Sequence, residues 1–200
     1  MNLKSDPAKN LLPYQGIVLD HGKVFSPEAC EKYFAELLET MPWESDELIM
    51  FGKRIVTKRK TAWIGNPGIK YTYSHQTKIP TPWSPALIEI KNRIERLTSA
   101  QFNACLLNLY HNGQEAMGWH SDDEKELGND PVIASLSLGT ARKFSFRHKN
   151  TKEKVSFELA DGQLLLMKGE TQKYWSHMLH KAAKVKEPRI NLTFRQIHPI

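Results

Sequence analysis

The residues with the clearest chemical potential are His120 and Asp122, an imidazole and a carboxylate two positions apart. In an extended segment the side chains of residues i and i+2 point the same way, so both groups can reach one cation. A third ligand has to come from another strand, and His177, which follows a Trp-Ser pair, is the best candidate. Two histidines and one carboxylate on one face of an octahedron leave the other face open, which is the pattern of a non-haem Fe(II) oxygenase.

Other interpretations of these residues remain open at this point. His180 competes with His177, although three residues further along an extended strand it lies on the opposite face. A zinc hydrolase can also use two histidines and an aspartate. Because His-x-Asp is common by chance, the pair can equally be ordinary surface residues.

A second group of polar residues lies in the segment RINLTFR, residues 189–195. Its polar side chains share one face of a strand and its apolar ones share the other; the polar set is Arg189, Asn191, Thr193 and Arg195. A guanidinium binds a carboxylate through two parallel hydrogen bonds. Two arginines on one face therefore suit an acid with two carboxylates. Asn108 and Tyr110 share the polar face of a neighbouring strand. If the face points into a barrel, the pattern indicates 2-oxoglutarate beside iron; if it is exposed, it is an ordinary amphipathic strand.

These residues need elements to position them, and the pattern predicts two helices followed by many strands. Ser26-Pro27 and Ser84-Pro85 each combine an N-cap with a proline at the first helical position. Apolar residues then recur with helical spacing, at Cys30, Tyr33, Phe34, Leu37 and Leu38 and at Leu87, Ile90, Ile94 and Leu97. From about residue 103 the period changes to two, which predicts short strands in a sandwich, barrel or jelly roll. Residues 1–15 are expected to be a poorly ordered lead-in.

The segment 45–83 has a different character, with many basic and aromatic residues, and is expected to form hairpins and loops rather than core. A basic run without acids is the candidate for phosphate contacts, namely Lys53, Arg54, Lys58, Arg59 and Lys60. Phe51 precedes this run. It is either a wedge that enters a base stack or an aromatic that packs against the core.

Composition sets broad limits. A chain of 200 residues suits one domain, and its net charge of +6 permits a polyanionic partner without requiring one. Cys30 and Cys105 lie in apolar surroundings and are expected to be free buried thiols, as in a reducing compartment. No apolar stretch approaches the roughly 18 residues of a membrane span, and the N-terminus has no secretory h-region. We therefore expect a cytoplasmic protein (nuclear if the source is eukaryotic) that does not bind a membrane.

Taken in order, these motifs resemble the AlkB family of alkylation-repair dioxygenases. The resemblance rests on His120-Ser121-Asp122, on His177 after Trp-Ser, and on the closing Arg-x-Asn-x-Thr-x-Arg, and it covers about residues 45–197. Asn108-Leu109-Tyr110 and Tyr71-Thr72-Tyr73 add further matches. The greatest likeness is to the subgroup that repairs double-stranded DNA.

The resemblance implies an α+β protein with a double-stranded β-helix (jelly-roll) core, N-terminal helices and a nucleotide-recognition lid. One domain would span 1–200, with the lid at 45–83 and the catalytic core at 103–197. It implies that His120, Asp122 and His177 bind Fe(II). Binding of the cosubstrate 2-oxoglutarate would fall to Asn108, Tyr110, Arg189, Asn191, Thr193 and Arg195, and O2 would be the oxidant.

The implied reaction is oxidative demethylation of 1-methyladenine and 3-methylcytosine in DNA, and we expect the protein to be a monomer. A base in a duplex has to be flipped out, and Tyr71 and Tyr73 are the candidates to stack on it. Glu124 would accept a hydrogen bond from its exocyclic amine. One departure is visible: Lys58-Arg59 stands where many relatives have Pro-Arg.

Three alternatives differ in substrate or class. The same chemistry on tRNA or mRNA depends on 2′-hydroxyl contacts that the sequence does not reveal. A protein or small-molecule hydroxylase is disfavoured by the basic, aromatic segment. A non-catalytic nucleic-acid-binding module is disfavoured because the metal and arginine residues are all present.

Overall fold

Two helices begin where the serine-proline pairs predict. The computed structural model describes residues 6–50, 53–69, 71–73 and 76–198, with the backbone alone at 46–50, 53–55, 71–73 and 76–78. Helix α1 spans Pro27–Thr40 and α2 spans Pro85–Thr98, and in each the preceding serine accepts a main-chain N–H of the first turn. A third helix, α3, is a single turn, Thr171–Tyr174.

The predicted apolar stripes of the two long helices are confirmed for most of their residues. Cys30, Tyr33 and Leu37 are buried on α1, as are Leu87, Ile90 and Ile94 on α2. Leu38 and Leu97, which the same spacing placed on the stripes, are 41% and 38% exposed. Each lies at the edge of its stripe.

The strands were predicted from residue 103 onward, and most of those in the described residues follow that point. Their bounds are β1 Ile17–Lys23, β2 Glu44–Met50, β3 Lys53–Gly65, β4 Tyr71–Tyr73, β5 Gln76–Lys78, β6 Ala104–Tyr110, β7 Met117–His120, β8 Ile133–Gly139, β9 Arg142–His148, β10 Lys154–Leu159, β11 Gln163–Lys168, β12 Trp175–Leu179 and β13 Arg189–Arg195. A short 3-10 turn, Lys125–Leu127, follows β7.

The strands form a large and a small antiparallel sheet, which is the layout of a jelly roll. The order in the large sheet is β1-β11-β8-β13-β6-β3-β2 and in the small sheet β10-β9-β12-β7, while β4 and β5 pair separately. The helices cover one face of the large sheet, and the small sheet covers the other. This arrangement confirms the predicted fold class, whereas the lid stays a prediction.

Burial on both faces explains why the central strands carry two kinds of side chain. On β13, Ile190, Leu192 and Phe194 join the apolar core beneath the helices. The alternate residues of β13 face the space between the sheets, and Leu106, Asn108 and Tyr110 on β6 do the same. The polar face of β13 therefore points inward, as the jelly-roll interpretation requires.

Two expectations about the N-terminal half are corrected. Ala62, Trp63 and Ile64 are buried, because the second half of β3 pairs with β6 and so extends the large sheet into the 45–83 segment. In the expected lead-in, Leu12 is 3% exposed and the Tyr14 ring packs against His148 and Trp175. Residues 10–15 therefore belong to the packed structure.

Both cysteines, Cys30 and Cys105, are free and buried, as predicted. Within the described ranges, no helix combines the length and the apolar character needed to cross a membrane.

Candidate active site

A pocket between the two sheets brings together most of the polar residues that the sequence singled out. The small sheet contributes His120 and His177, and the large sheet contributes the polar face of β13. Asp122 and Glu124, which follow β7, line the same pocket. The His-x-Asp motif and the polar face of β13, which are far apart in sequence, therefore face one another across the pocket.

The two histidines are held as a cross-strand pair. His120 ends β7, and the antiparallel register of β12 places His177 directly opposite it. Their ring centroids are 4.2 Å apart. Since directly opposed side chains lie on the same face of a sheet, the strand pairing alone brings both imidazoles into the pocket.

Asp122 completes a group of three possible metal ligands. One nitrogen or oxygen from each of His120, Asp122 and His177 lies within 4.8 Å of the others, and no other such group occurs among the described residues. The Asp122 Oδ2 atom is 3.9 Å from His177 Nε2, and Oδ1 is 2.5 Å from a guanidinium nitrogen of Arg195. The three donors can thus converge on one cation.

The protonation states suit metal binding. His120 Nδ1 lies 2.8 Å from the Gly118 carbonyl oxygen, so Nδ1 carries the proton and Nε2 keeps its lone pair for a cation. Burial, helped by His120, lowers the pKa of His177 to about 3, so this ring is neutral at neutral pH. Burial alone would raise the pKa of Asp122, but Arg195 and the two imidazoles outweigh it and the pKa is lowered.

This donor set fits Fe(II). Two neutral imidazoles and one carboxylate on one side of a pocket leave room for a chelating cosubstrate and O2 on the other side. A structural zinc site would need a fourth protein ligand, and no described His, Cys, Asp or Glu adds one.

His180, the competing ligand, lies outside the group. It follows β12 rather than belonging to it, and its Nε2 atom is 2.7 Å from Ser145 Oγ. The choice of His177 over His180 follows from the register of β12 against β7.

Arg189 lies at the end of the pocket away from the metal ligands. It is 2% exposed, and its guanidinium donates to Ser137 Oγ at 2.9 Å and lies 5.6 Å from the centre of the Tyr110 ring. The part of the chain that the structure describes gives it no carboxylate partner. Burial lowers its pKa to about 10, with nearby Arg142 acting in the same direction. A buried cation without an anion is costly, so this end of the pocket suits a carboxylate from a ligand.

The other predicted cosubstrate residues also line the pocket. Asn191 Nδ2 donates to Ser135 Oγ at 2.9 Å, and Thr193 Oγ1 lies 3.2 Å from Asn191 Oδ1. Asn108 and Tyr110 face them from β6. Their placement agrees with the sequence-based assignment, while their roles in binding stay predictions.

Arg59 requires a correction. The sequence placed it in the basic run that contacts phosphates, but it is 6% exposed, lines the pocket and donates from Nη1 to Asn108 Oδ1. Side chains alternate along β3, so Arg59 points inward while its neighbour Lys58 is exposed. Arg59 is therefore a pocket residue and not a surface contact.

The remaining candidates for substrate contact are only partly described. Tyr71 and Tyr73 lie in β4, and Lys53 and Arg54 lie in β3, but their side chains are outside the described set, and Phe51 lies outside the described residues altogether. Lys60 is half-buried. These assignments stay predictions.

Sequence reasoning missed the apolar wall of the pocket. Trp63, Leu106, Met117, Phe144 and Leu179 line it together with the polar residues. The available signal was strand alternation: Leu106 shares a face with Asn108 and Tyr110, and Leu179 shares one with His177.

The fold and this site define a class of enzyme. The model of the 2OG-Fe(II) oxygenase superfamily matches residues 16–195, which include the triad and both arginines. The chain belongs to the 2OG-Fe(II) oxygenase superfamily, whose members use Fe(II), 2-oxoglutarate and O2.

Similar proteins narrow the class. The chain is 42% identical to human alpha-ketoglutarate-dependent dioxygenase alkB homolog 3, over 82% of this chain and 60% of that protein. It is 37% identical to mouse DNA oxidative demethylase ALKBH2, over 99% of this chain and 87% of that protein. It spans about three fifths of the length of the alkB homolog 3 relatives that it matches. The chain belongs to the AlkB family.

Solved structures support the fold. OsALKBH1 superposes with a TM-score of 0.61 at 17% identity, covering 92% of this chain and 98% of that one. A prolyl-4-hydroxylase of Pseudomonas putida gives a TM-score of 0.59 at 13% identity, covering 90% and 92%. Both confirm a jelly-roll oxygenase fold and, at these identities, nothing about the substrate.

Proposed function

We propose that the protein oxidatively demethylates N-alkylated bases, 1-methyladenine and 3-methylcytosine, in DNA, and so repairs alkylation damage directly. The products are the repaired base, formaldehyde, succinate and CO2. The observation that carries the proposal is the pocket itself, in which a His-Asp-His group faces the buried Arg189, to which no described residue gives a carboxylate partner. The names of its relatives, which include DNA oxidative demethylase ALKBH2, supply the substrate class.

One end of the pocket would bind the metal, and the other end would bind the distant carboxylate of the cosubstrate. His120, Asp122 and His177 would hold Fe(II), which supplies the oxidant for the N-methyl carbon by activating O2 as 2-oxoglutarate is converted to succinate and CO2. Arg189 would pair with the distant carboxylate of 2-oxoglutarate, since among the described residues its buried guanidinium has a hydroxyl but no carboxylate as a partner. Arg195, which lies beside Asp122, would hold the carboxylate nearer the metal.

The alkylated base would enter on the side of the metal ligands. Glu124 lines this part of the pocket, and a carboxylate there can accept from the exocyclic amine and offset the positive charge of 1-methyladenine or 3-methylcytosine. Trp63, Leu106 and Met117 line the same pocket and would supply apolar surface for the base. Tyr71 and Tyr73 remain the candidates for stacking on the flipped base.

Contacts with the DNA backbone would come from the remaining basic residues of the 45–83 segment. Lys53, Arg54 and Lys60 keep this assignment, whereas Arg59 does not because it is buried. Phe51 remains a candidate wedge. If it enters the base stack, Phe51→Ala reduces turnover of duplex substrates more than that of single strands, and equal effects on both exclude the wedge.

The test uses the purified protein with Fe(II), ascorbate and 2-oxoglutarate. Matched oligonucleotides carry one 1-methyladenine or 3-methylcytosine as single-stranded DNA, double-stranded DNA or RNA, and mass spectrometry measures the loss of one CH2. The proposal expects loss from DNA that depends on 2-oxoglutarate. Faster turnover of RNA than of DNA would make the alternative, an RNA demethylase, the correct function. If no oligonucleotide loses the mass of one CH2, the demethylase proposal is wrong.

Asp122→Ala is the control for the metal site. It removes the one carboxylate of the triad, so turnover should fall to that of the protein without iron. Retained turnover in this variant would mean that the metal is bound elsewhere.

A further inference from the structure

The three metal ligands differ in how the chain fixes them. His120 and His177 lie in paired strands, and the hydrogen bonds of the sheet set their positions. Asp122 follows the end of β7, and residues 121–124 have no regular structure before the 3-10 turn. Something other than a sheet must therefore hold the loop that carries the carboxylate.

The buried side chain of Gln172 contacts this loop. Gln172 is 3% exposed, and its Oε1 atom accepts a hydrogen bond from the main-chain N–H of Asp122 at 2.9 Å. Gln172 belongs to α3, the single turn that leads directly into β12 and its ligand His177. One hydrogen bond thus joins the loop of one ligand to the element that precedes another.

Gln172 is itself fixed from several directions. Its Nε2 donates to the Met167 sulfur at 3.6 Å, and its main-chain carbonyl accepts from Lys149 Nζ at 2.8 Å. The adjacent Thr171 hydroxyl donates to the Lys168 carbonyl at 2.6 Å and accepts from Ile17 N at 2.9 Å. Because the N–H of Asp122 needs an acceptor, the amide oxygen has to face the loop and the amide nitrogen has to face the sulfur.

An ion pair next to this hydrogen bond also contacts the loop. Lys149 Nζ, which Gln172 binds through its carbonyl, lies 3.6 Å from Asp123 Oδ2. This ion pair is partly exposed, and exposed pairs contribute little. The buried amide contact is therefore the stronger of the two.

We infer that Gln172 is a positioning residue for the metal: it fixes the main chain at Asp122 so that the carboxylate points at the cation site. Gln172 does not touch the metal and acts only through Asp122. Residues that orient metal ligands in this way typically change metal affinity by about 10- to 100-fold when they are replaced. The inference rests on the metal centre of the proposed function but not on its nucleic-acid substrate.

The test compares two glutamines that have similar bonds at different places. Gln163 Oε1 accepts from Ala160 N at 2.8 Å and its Nε2 donates to Asp20 at 2.8 Å, at the other end of β11 from Met167. Gln172→Met and Gln163→Met each replace an amide by an apolar chain of similar length. Gln172→Glu keeps an acceptor oxygen at the same reach.

The probe is Mn(II), which takes the same ligands as Fe(II) without being oxidised, and the free ion is followed by electron paramagnetic resonance. Gln172→Met should weaken Mn(II) binding by about 10- to 100-fold. Gln163→Met should leave it unchanged, and Gln172→Glu should restore it to within a few-fold of the wild type. Thermal unfolding of the metal-free proteins shows how much stability each methionine variant loses.

The outcomes separate the possible failures. If Gln172→Met binds Mn(II) like the wild type while its unfolding temperature falls, Gln172 is only structural; if Gln163→Met weakens Mn(II) binding equally, the effect is general destabilisation. A wild type that binds Mn(II) no better than Asp122→Ala overturns the metal centre and the inference with it. Tight Mn(II) binding without demethylation of any oligonucleotide overturns the proposed function and leaves the inference standing.

Discussion

The metal end and the far end of the pocket are both lined by β13, yet buried charge is compensated in one and not in the other. At the metal end, the Arg195 guanidinium lies 2.5 Å from the Asp122 carboxylate. At the far end, Arg189 has a hydroxyl and an aromatic ring as neighbours, and no carboxylate lies beside it among the described residues. Two arginines six positions apart on one strand should therefore respond differently to replacement.

The difference indicates which end of the pocket is incomplete without a ligand. A paired buried charge stabilises the folded chain only relative to a broken pair, and an unpaired one destabilises it until its anion arrives. The far end thus resembles a specific anion site, and the metal end is already balanced by its own residues.

The largest expected effect comes from Arg189→Met. We expect 2-oxoglutarate to bind about 100-fold more weakly, a loss of about 3 kcal/mol, because the ligand loses its buried partner. The metal-free protein should nevertheless become more stable, by about 2–4 °C in unfolding temperature for each kcal/mol of relieved burial cost. Calorimetric titration measures the first effect and thermal unfolding the second.

Arg189→Lys is the matched control, because it keeps the charge but loses the bidentate geometry. It should bind 2-oxoglutarate more tightly than the methionine variant without gaining stability. A methionine variant that is less stable than the wild type would show that Arg189 is already compensated, and the contrast between the two ends would disappear.

The next largest effect is a loss of stability, whereas Arg189→Met should increase stability. Arg195→Met leaves the Asp122 carboxylate buried without its guanidinium, so the free energy of unfolding of the metal-free protein should fall by about 3 kcal/mol. Urea denaturation measures this change. Combining Arg195→Met with Asp122→Asn should recover part of the loss, since the double variant has no charge left to bury; strict additivity would mean that the pair does not interact.

Acid should affect the metal end of the metal-free protein. The pKa of His177 is lowered from 6.5 to about 3 by burial, so between these values the unfolded chain binds a proton that the folded chain excludes. The free energy of unfolding should be constant above pH 6.5 and fall below it, by up to about 1.4 kcal/mol per pH unit from this group. Urea midpoints across this range, compared with those of His177→Asn, isolate the contribution; an unchanged slope in the variant would contradict it.

The smallest effect is expected at Thr193. Thr193→Val keeps the shape and removes a hydroxyl whose partner in the structure is Asn191 Oδ1 at 3.2 Å. We expect a change of about 1 kcal/mol at most, or about fivefold in 2-oxoglutarate affinity. A loss as large as that of Arg189→Met would show that Thr193 binds the cosubstrate directly.

What could be predicted from the sequence was carried by short-range patterns. The Ser-Pro pairs fixed the start of both long helices, and alternation along 189–195 placed Arg189 and Arg195 on one face. His120 and Asp122 were predicted as a pair from their spacing, although Asp122 lies beyond the end of β7 and contacts outside the sheet hold it in place. In each case the deciding information lies within a few positions.

The contacts that could not be predicted join residues far apart in the chain. Gln172 reaches Asp122 across 50 positions and Arg59 reaches Asn108 across 49, and both depend on which strands pair. The basic run around Arg59 looks uniform in sequence, and only the pairing of β3 with β6 turns one member of it inward. For the same reason Trp63 was not expected in the core.

The position of β13 has a consequence for how the enzyme is made. Of the described strands it is the last in chain order, yet it lies between β8 and β6 at the centre of the large sheet. A growing chain therefore contains all three metal ligands before it contains Arg189 and Arg195. Until β13 inserts, β8 and β6 of the large sheet are not joined, and the proposed cosubstrate site lacks both of these arginines. On the proposed assignment, the cosubstrate site is therefore completed only after the metal ligands have been made, when the last of the described strands enters the sheet.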